Sequence, residues 1–156
     1  MTAAHVAASL RAERTAMQAF LELLGEEQQA LIRGDADQVA AGIARKSEWL
    51  GKLARHAGER REFLNKQQFP ADRSGMDAWI AAHPDSGTLA AEWHELLKIT
   101  HQAWQANHAN GLLISVQMQS NQQSLAALAA AARSASLYGR DGQTVGAWGS
   151  RTLGAA

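Results

Sequence analysis

The sequence predicts an all-α protein, an antiparallel helical hairpin packed on a long third helix in a coiled-coil-like three-helix bundle, with a flexible C-terminal tail. Three observations predict it. Alanine, the best helix former, supplies much of the 46% hydrophobic content. Only two prolines occur, Pro70 and Pro84, and both fall in one short connector. Outside that connector, apolar residues recur at alternating four- and three-residue steps, the spacing that keeps one stripe on one helix face. At 156 residues the chain has the size of one domain with one core. The expected organisation is a helical domain over 1–136 and a tail over 137–156.

The first helix is expected from about Ala3 to Arg33. Leu10, Met17, Leu21, Leu24 and Leu31 fall on a 4-3 stripe that also passes through Ala3, Ala7, Arg14 and Gln28, and Phe20, Leu23 and Ile32 widen it. Gly34 ends the helix, and Asp35 with Gln38 three residues on has the pattern of an N-cap with a reciprocal partner. The second helix, about Ala36 to Lys66, carries Val39, Ile43, Lys46, Leu50, Leu53, Ala57, Arg60 and Leu64 on the same spacing. Lys46 and Arg60 interrupt its apolar seam, and their stems are expected along the seam with their charges in water.

Pro70, Gly75, Pro84 and Gly87 punctuate the connector and leave room for a short helix over about 75–82, with Ser74 as its cap and Trp79 and Ile80 as its apolar side. The third long helix is expected over about 86–135. At about 1.5 Å per residue it would be a rod of roughly 75 Å against roughly 45 Å for each of the first two, so it should overhang them. Its first half carries Leu89, Trp93, Leu96, Leu97 and Trp104, and its second half thins into alanine. Beyond it, Leu137 to Ala156 is glycine-dense without helical period, and Tyr138, Val145, Trp148 and Leu153 are either contact points or residues that fold back.

Composition narrows the function classes. Fifteen basic and fifteen acidic side chains cancel, and no face gathers the cations that a phosphate backbone demands, so nucleic acid is not an expected partner. Cysteine is absent, which removes disulfides, thiolate metal sites and cysteine nucleophiles. The N-terminal run MTAAHVAASLRAERTAMQ lacks the pattern of a secretory signal, and the longest apolar run, Leu125 to Ala132, is far short of the roughly 20 residues of a membrane span. A soluble cytoplasmic chain without membrane insertion is expected.

His94, His101 and His108 recur every seven residues. Two helical turns separate neighbours by roughly 10 Å, too far to share one zinc, so they form a polar stripe rather than a metal site. His94-Glu95 begins like a zinc-protease motif, but Lys98 stands where the second histidine belongs. No phosphate loop occurs, and Ser115, Ser120 and Ser124 lie within helical pattern with no base identifiable for them. Neither an enzyme nor a cofactor is expected.

The informative stretch is Asn107 to Asn121, NHANGLLISVQMQSN. Stepping along the seam from Trp93 gives Leu96, Thr100, Ala103, Asn107, Asn110 and Ile114, which puts two amides where apolar groups normally pack. Gly111 beside them costs roughly 1 kcal/mol against alanine in a helix interior and lets another backbone approach. Two readings stay open: the asparagines bond inside the bundle while Gly111 admits a neighbouring side chain, or all three belong to an interface.

The order Asn107, Asn110-Gly111, Leu112, Ile114, Asn121, Leu125, Leu128, then Leu137-Tyr138-Gly139 and Asp141-Gly142, resembles the C-terminal signature of the FlgN family, export chaperones of the bacterial flagellum. The hairpin turn at Arg33-Gly34-Asp35, the connector and the long last helix agree with it. The resemblance implies a cytoplasmic chaperone that holds the C-terminal helical segment of hook-filament junction proteins, keeps them unassembled, and delivers them to the flagellar type III export gate. Cargo contacts are then expected at Asn107, Asn110, Gly111, Leu112, Ile114, Met118, Asn121, Leu125 and Leu128, and a gate contact at Tyr138. The extension from Thr144 to Ala156 departs from the family pattern. The competing reading is a self-associating helical adaptor, which the 4-3 stripes alone support equally.

Overall fold

The computed structural model describes residues 3–84 and 87–137. Four helices fill them, α1 (Ala3–Arg33), α2 (Ala36–Lys66), α3 (Arg73–Ala81) and α4 (Gly87–Leu137), so the fold is all-α. The chain divides into two compact units, Met1–Leu113 and Ile114–Ala156, and α4 runs unbroken through the boundary for 51 residues.

The turn between α1 and α2 follows from Gly34, which takes the left-handed conformation (φ 68°) that glycine adopts without steric cost. It lets the Asp35 N–H donate to the Ala30 carbonyl and the Gly34 N–H to the Leu31 carbonyl, a Schellman ending. The Asp35 carboxylate then accepts from the Gln38 N–H at 3.1 Å and caps α2. The Asp35 N–H is therefore already used, and the Gln38 side chain accepts from Arg33 instead of closing a reciprocal box. The same ending recurs after α2, where Phe69 N–H reaches the Leu64 carbonyl and Gln68, at φ 61°, takes the position glycine usually holds.

α3 begins two residues before its expected start. Asp72 caps it by accepting from the Gly75 N–H at 3.0 Å, whereas Ser74, the expected cap, donates its hydroxyl to that same carboxylate at 2.7 Å. Gly75 must be glycine on steric grounds, since a Cβ there would collide with the backbone of Pro70. Trp79 is buried in a cluster with Val6, Leu10, Phe63, Leu64, Met76, Leu89, Trp93 and Leu96, so it pins the connector against the other helices, with its ring edge-on to Phe63 at 5.0 Å. Trp93 Nε1 donates to Asp77 at 2.7 Å and ties α4 to α3.

A second cluster, Ala16, Phe20, Leu23, Leu24, Leu53 and Ala103, joins α1, α2 and α4. It shows how the α1 seam differs from expectation. Leu10, Leu24 and Leu31 face inward as predicted, Phe20 widens the stripe as expected, and Ala7, Met17 and Leu21 pack half-buried against the clusters, but the most inward row shifts by one residue to take in Val6, Glu13 and Glu27 as well. The shift is possible because both glutamates meet cations from α2. Glu13 takes a two-pronged bond from Arg60, both prongs at 3.1 Å, and Glu27 takes both oxygens' bonds from Lys46 at 2.9 and 3.1 Å. The expectation that Lys46 and Arg60 carry their charges to water is thus corrected: an inward carboxylate on α1 holds each of them in the seam, at about one-fifth exposure.

Candidate protein-binding surface

Within the first unit, α4 is held by a polar ladder as well as by its apolar row of Leu89, Trp93, Leu96, Ile99 and Ala103. At one end Arg11 and Arg14 clamp the two oxygens of Glu92 at 3.0 and 2.8 Å. The hydrogen bond from Arg11, with the attraction of both guanidiniums, holds the Glu92 carboxyl below its ordinary pKa. In the middle Arg60 lies 5.1 Å from the centre of the Trp93 ring while paired to Glu13. At the far end Asn110, fully buried, donates its amide both to the Leu24 carbonyl at 2.9 Å and to Glu27 at 2.8 Å. The Glu27 carboxylate therefore joins α1, α2 and α4 at one point through Asn110 and Lys46.

Alongside this ladder runs an open cleft of about 470 Å³, lined by α1, α2 and α4, with Phe20, Leu50, Leu53, Leu97, Trp104 and Asn107 among its residues. Leu50 and Trp104 are large apolar groups left 50% and 63% exposed. Trp104 stacks between His101 and His108, at 6.2 and 5.5 Å, so the expected histidine stripe serves as a frame for an exposed indole.

In the second unit α4 carries Ile114, Met118, Asn121, Leu125 and Leu128 at 4-3-4-3 spacing, which is one helical stripe. Ile114 is half-buried, and the others are exposed: Met118 at 58%, Leu125 and Leu128 at 66%. Residues 118 to 136 are exposed throughout. Met118, Leu125 and Leu128 thus leave large apolar groups mainly in water on one side of the helix, with Asn121 between them.

The nine sequence-predicted contact residues fall into three sets. Asn107, Gly111, Leu112, Met118, Asn121, Leu125 and Leu128 are exposed, Ile114 is half-buried, and Asn110 is buried. Of the two readings left open for the asparagines, Asn110 follows the first, bonding inside the bundle, while Asn107 lies on the open cleft. Gly111 admits no neighbouring side chain, since a Cβ there would meet nothing within 4 Å. Leu112 stands about 100° around the helix from Gly111 and shares its side with Val116, an exposed valine that the sequence reading did not single out. Tyr138 and the expected tail beyond it lie outside the described residues. Leu50 and Glu27 were also missed. Glu27 had a signal, its seven-residue spacing from Phe20, Glu13 and Val6.

An all-helical domain whose last helix is pinned by buried polar groups and then offers an uncovered apolar stripe is a protein-binding helical domain. Among the described residues no group of side chains is arranged to hold a metal, and no helix is long and apolar enough to cross a membrane. The family model described as FlgN protein matches residues 1–146, and the chain belongs to the FlgN family of flagellar export chaperones. No match was found among curated proteins or among solved structures.

Proposed function

We propose that this chaperone binds, in the cytoplasm, the C-terminal helical segment of hook-filament junction proteins, keeps them unassembled, and delivers them to the flagellar export gate. The observation that carries the reading is the uncovered stripe of Ile114, Met118, Leu125 and Leu128 on an unbroken helix. An amphipathic cargo helix laid on that stripe buries it by the helix-in-groove mode of peptide recognition. Each Leu, Ile or Met so covered contributes up to about 1.5–3 kcal/mol before ordering costs. Leu112 adds a flanking contact, and Asn107 and Asn121 supply amides that fix register. Gly111 leaves room for close approach of the cargo backbone, and Asn110 acts from beneath by fixing α4 against α1. Residues 1–136 then work as the chaperone domain and 137–156 as the tether that meets the gate.

Hydrogen exchange with and without a peptide of the last helix of a junction protein tests the reading. New protection across residues 112–128 is the expected result, and Leu125→Glu should abolish it. A peptide that binds elsewhere, or not at all, overturns the assignment. For the gate, Tyr138→Ala should leave peptide affinity unchanged and weaken binding to the soluble gate domain; undiminished gate affinity removes Tyr138 from the role.

A further inference from the structure

Within the first unit a second open groove, of about 750 Å³, runs between α1 and α2, and no residue of α4 lines it. We propose that this groove is a further docking surface, and that its occupant is an amphipathic partner helix whose small apolar face is edged by glutamate or aspartate.

The shape suits a helix. α1 offers the groove Ala8, Ala12, Ala16 and Ala19, about one methyl group per turn over three turns. Ala8 and Ala12 are exposed, at positions where a solvated helix face ordinarily carries polar groups. Side chains this small let a second helix axis approach to the near limit of helix packing, about 8 Å. The opposite wall, on α2, is headed by the half-buried Trp49.

Charge selects the occupant. Arg11 on one wall and Lys52 and Arg55 on the other face the groove, against a single lining carboxylate, Glu59. Lys52 holds its ammonium 4.3 Å from the centre of the Trp49 ring, which keeps that charge at the wall. Arg11 pairs with Glu92 and Lys52 with Glu48, but both cations stay about half exposed. Arg55 is exposed and has no partner among the described residues. An acidic helix is therefore attracted from both sides, and a basic one is repelled.

The same charges disfavour the other occupants. A second copy has no acidic helix to offer: α1 carries four acids against three bases, and no other helix has an excess of acids. Of the α1 acids, Glu13 and Glu27 are turned inward onto Arg60 and Lys46, and Glu26 pairs with Arg45. Residues 138–156 of the chain itself hold two arginines against one aspartate. A nucleic-acid backbone needs a row of free cations, whereas here Arg55 alone is unpaired, beside a floor of methyl groups.

The test uses the full chain and a labelled helical peptide with alanine and leucine along one face and glutamates on either side of it. A counterpart with lysines in place of the glutamates is the control. Fluorescence anisotropy should show the glutamate peptide binding, less tightly as salt rises, and the lysine peptide binding roughly tenfold or more weakly. Arg55→Glu should weaken the glutamate peptide roughly tenfold and strengthen the lysine peptide, a reversal that loss of folding cannot produce. Ala12→Leu fills the floor and should abolish binding with helicity and melting unchanged, since Ala12 is exposed. Overturning results are no binding of the glutamate peptide, equal affinity for the two peptides, or an Ala12→Leu chain that binds like the unaltered one. Competition by polyuridylate RNA, which marks a phosphate-binding surface, or oxidation of an Ala12→Cys chain to a disulfide dimer, which marks an interface between copies, also overturns it. The groove shares no residue with the α4 stripe, so junction-peptide affinity on the Ala12→Leu chain reports on cargo binding separately.

Discussion

The two parts of α4 are one helix made in two ways. From Leu89 to Asn110 it is held from outside: apolar side chains are buried against α1, α2 and α3, and ion pairs and amide bonds fix its register. From Met118 to Ser136 every residue is exposed, and what favours helix there is intrinsic propensity, with seven alanines from Ala126 to Ala135. Isolated helices of that length are marginal in water, so the second part depends on continuity with the first, which spares it the cost of nucleation.

The largest effect that separates the two parts is a leucine deletion. Leu96→Ala should cost about 2–5 kcal/mol, because it empties a site where the side chain is packed on all sides. Leu125→Ala should change stability by less than about 0.5 kcal/mol, since its side chain is mainly in water. Urea denaturation of both variants checks the pair, and a cost above about 1 kcal/mol at Leu125 would show that the stripe is already covered in the free protein.

Asn110 marks the junction between the two behaviours. Asn110→Ala removes both bonds to α1 and should cost about 2 kcal/mol. Asn110→Asp is the sharper probe, because it sets a carboxylate against Glu27 where an amide now donates at 2.8 Å. It should be worse than alanine at pH 7 and recover as the pH falls and one of the two acids takes up a proton.

What the sequence made legible follows the same division. The turn between α1 and α2 was readable because it rests on local chemistry: Gly34 ends one helix and Asp35 caps the next through bonds to residues within five positions, whereas the cap of α3 fell to Asp72 rather than Ser74. The stripe of Met118, Leu125 and Leu128 was readable because exposure leaves periodicity undisturbed. What escaped was the α1 seam, where Glu13 and Glu27 look like surface residues in their own helix. Their reason for facing inward sits on α2, in Arg60 and Lys46, at sequence separations of 47 and 19. The seven-residue spacing of Val6, Glu13, Phe20 and Glu27 marks the row within α1, but which cations meet the two carboxylates has no signature in either helix taken alone. Asn110 was half legible, since its polar intrusion was visible but its partner Leu24 carbonyl, 86 residues away, was not.

Two helical glycines give a smaller and opposite pair of effects. Gly75→Ala should destabilise by about 1–3 kcal/mol, because the new methyl group meets the Pro70 backbone. Gly111→Ala meets nothing and should stabilise the free chain by about 0.5–1 kcal/mol through helix propensity. If the junction-protein helix approaches closely at Gly111, the same substitution should weaken peptide binding while raising the melting temperature. Unchanged affinity would make Gly111 a neutral position.

The smallest effect expected is pH dependence confined to one part of the molecule. Glu92 is held below its ordinary value of 4.5, first by the Arg11 hydrogen bond, and Asp72 below its ordinary 3.8, first by the Ser74 hydroxyl and then by the Gly75 N–H. A carboxylate whose folded pKa is depressed contributes its stabilisation fully above the unfolded value and loses it as the pH falls through the folded one. The clamp of α4 on α1 and the cap of α3 should therefore weaken together below about pH 4. Between Ile114 and Leu137 there is no acidic residue and no histidine, so that segment has nothing to titrate in this range. Hydrogen exchange on lowering the pH from 6 to 3, corrected for the intrinsic rate, should show amides of α3 and the start of α4 losing protection before the pattern beyond Ile114 changes. The reverse order would mean that the outer part of α4 draws its helicity from contacts with titrating groups, and the division drawn between the two parts would have to be abandoned.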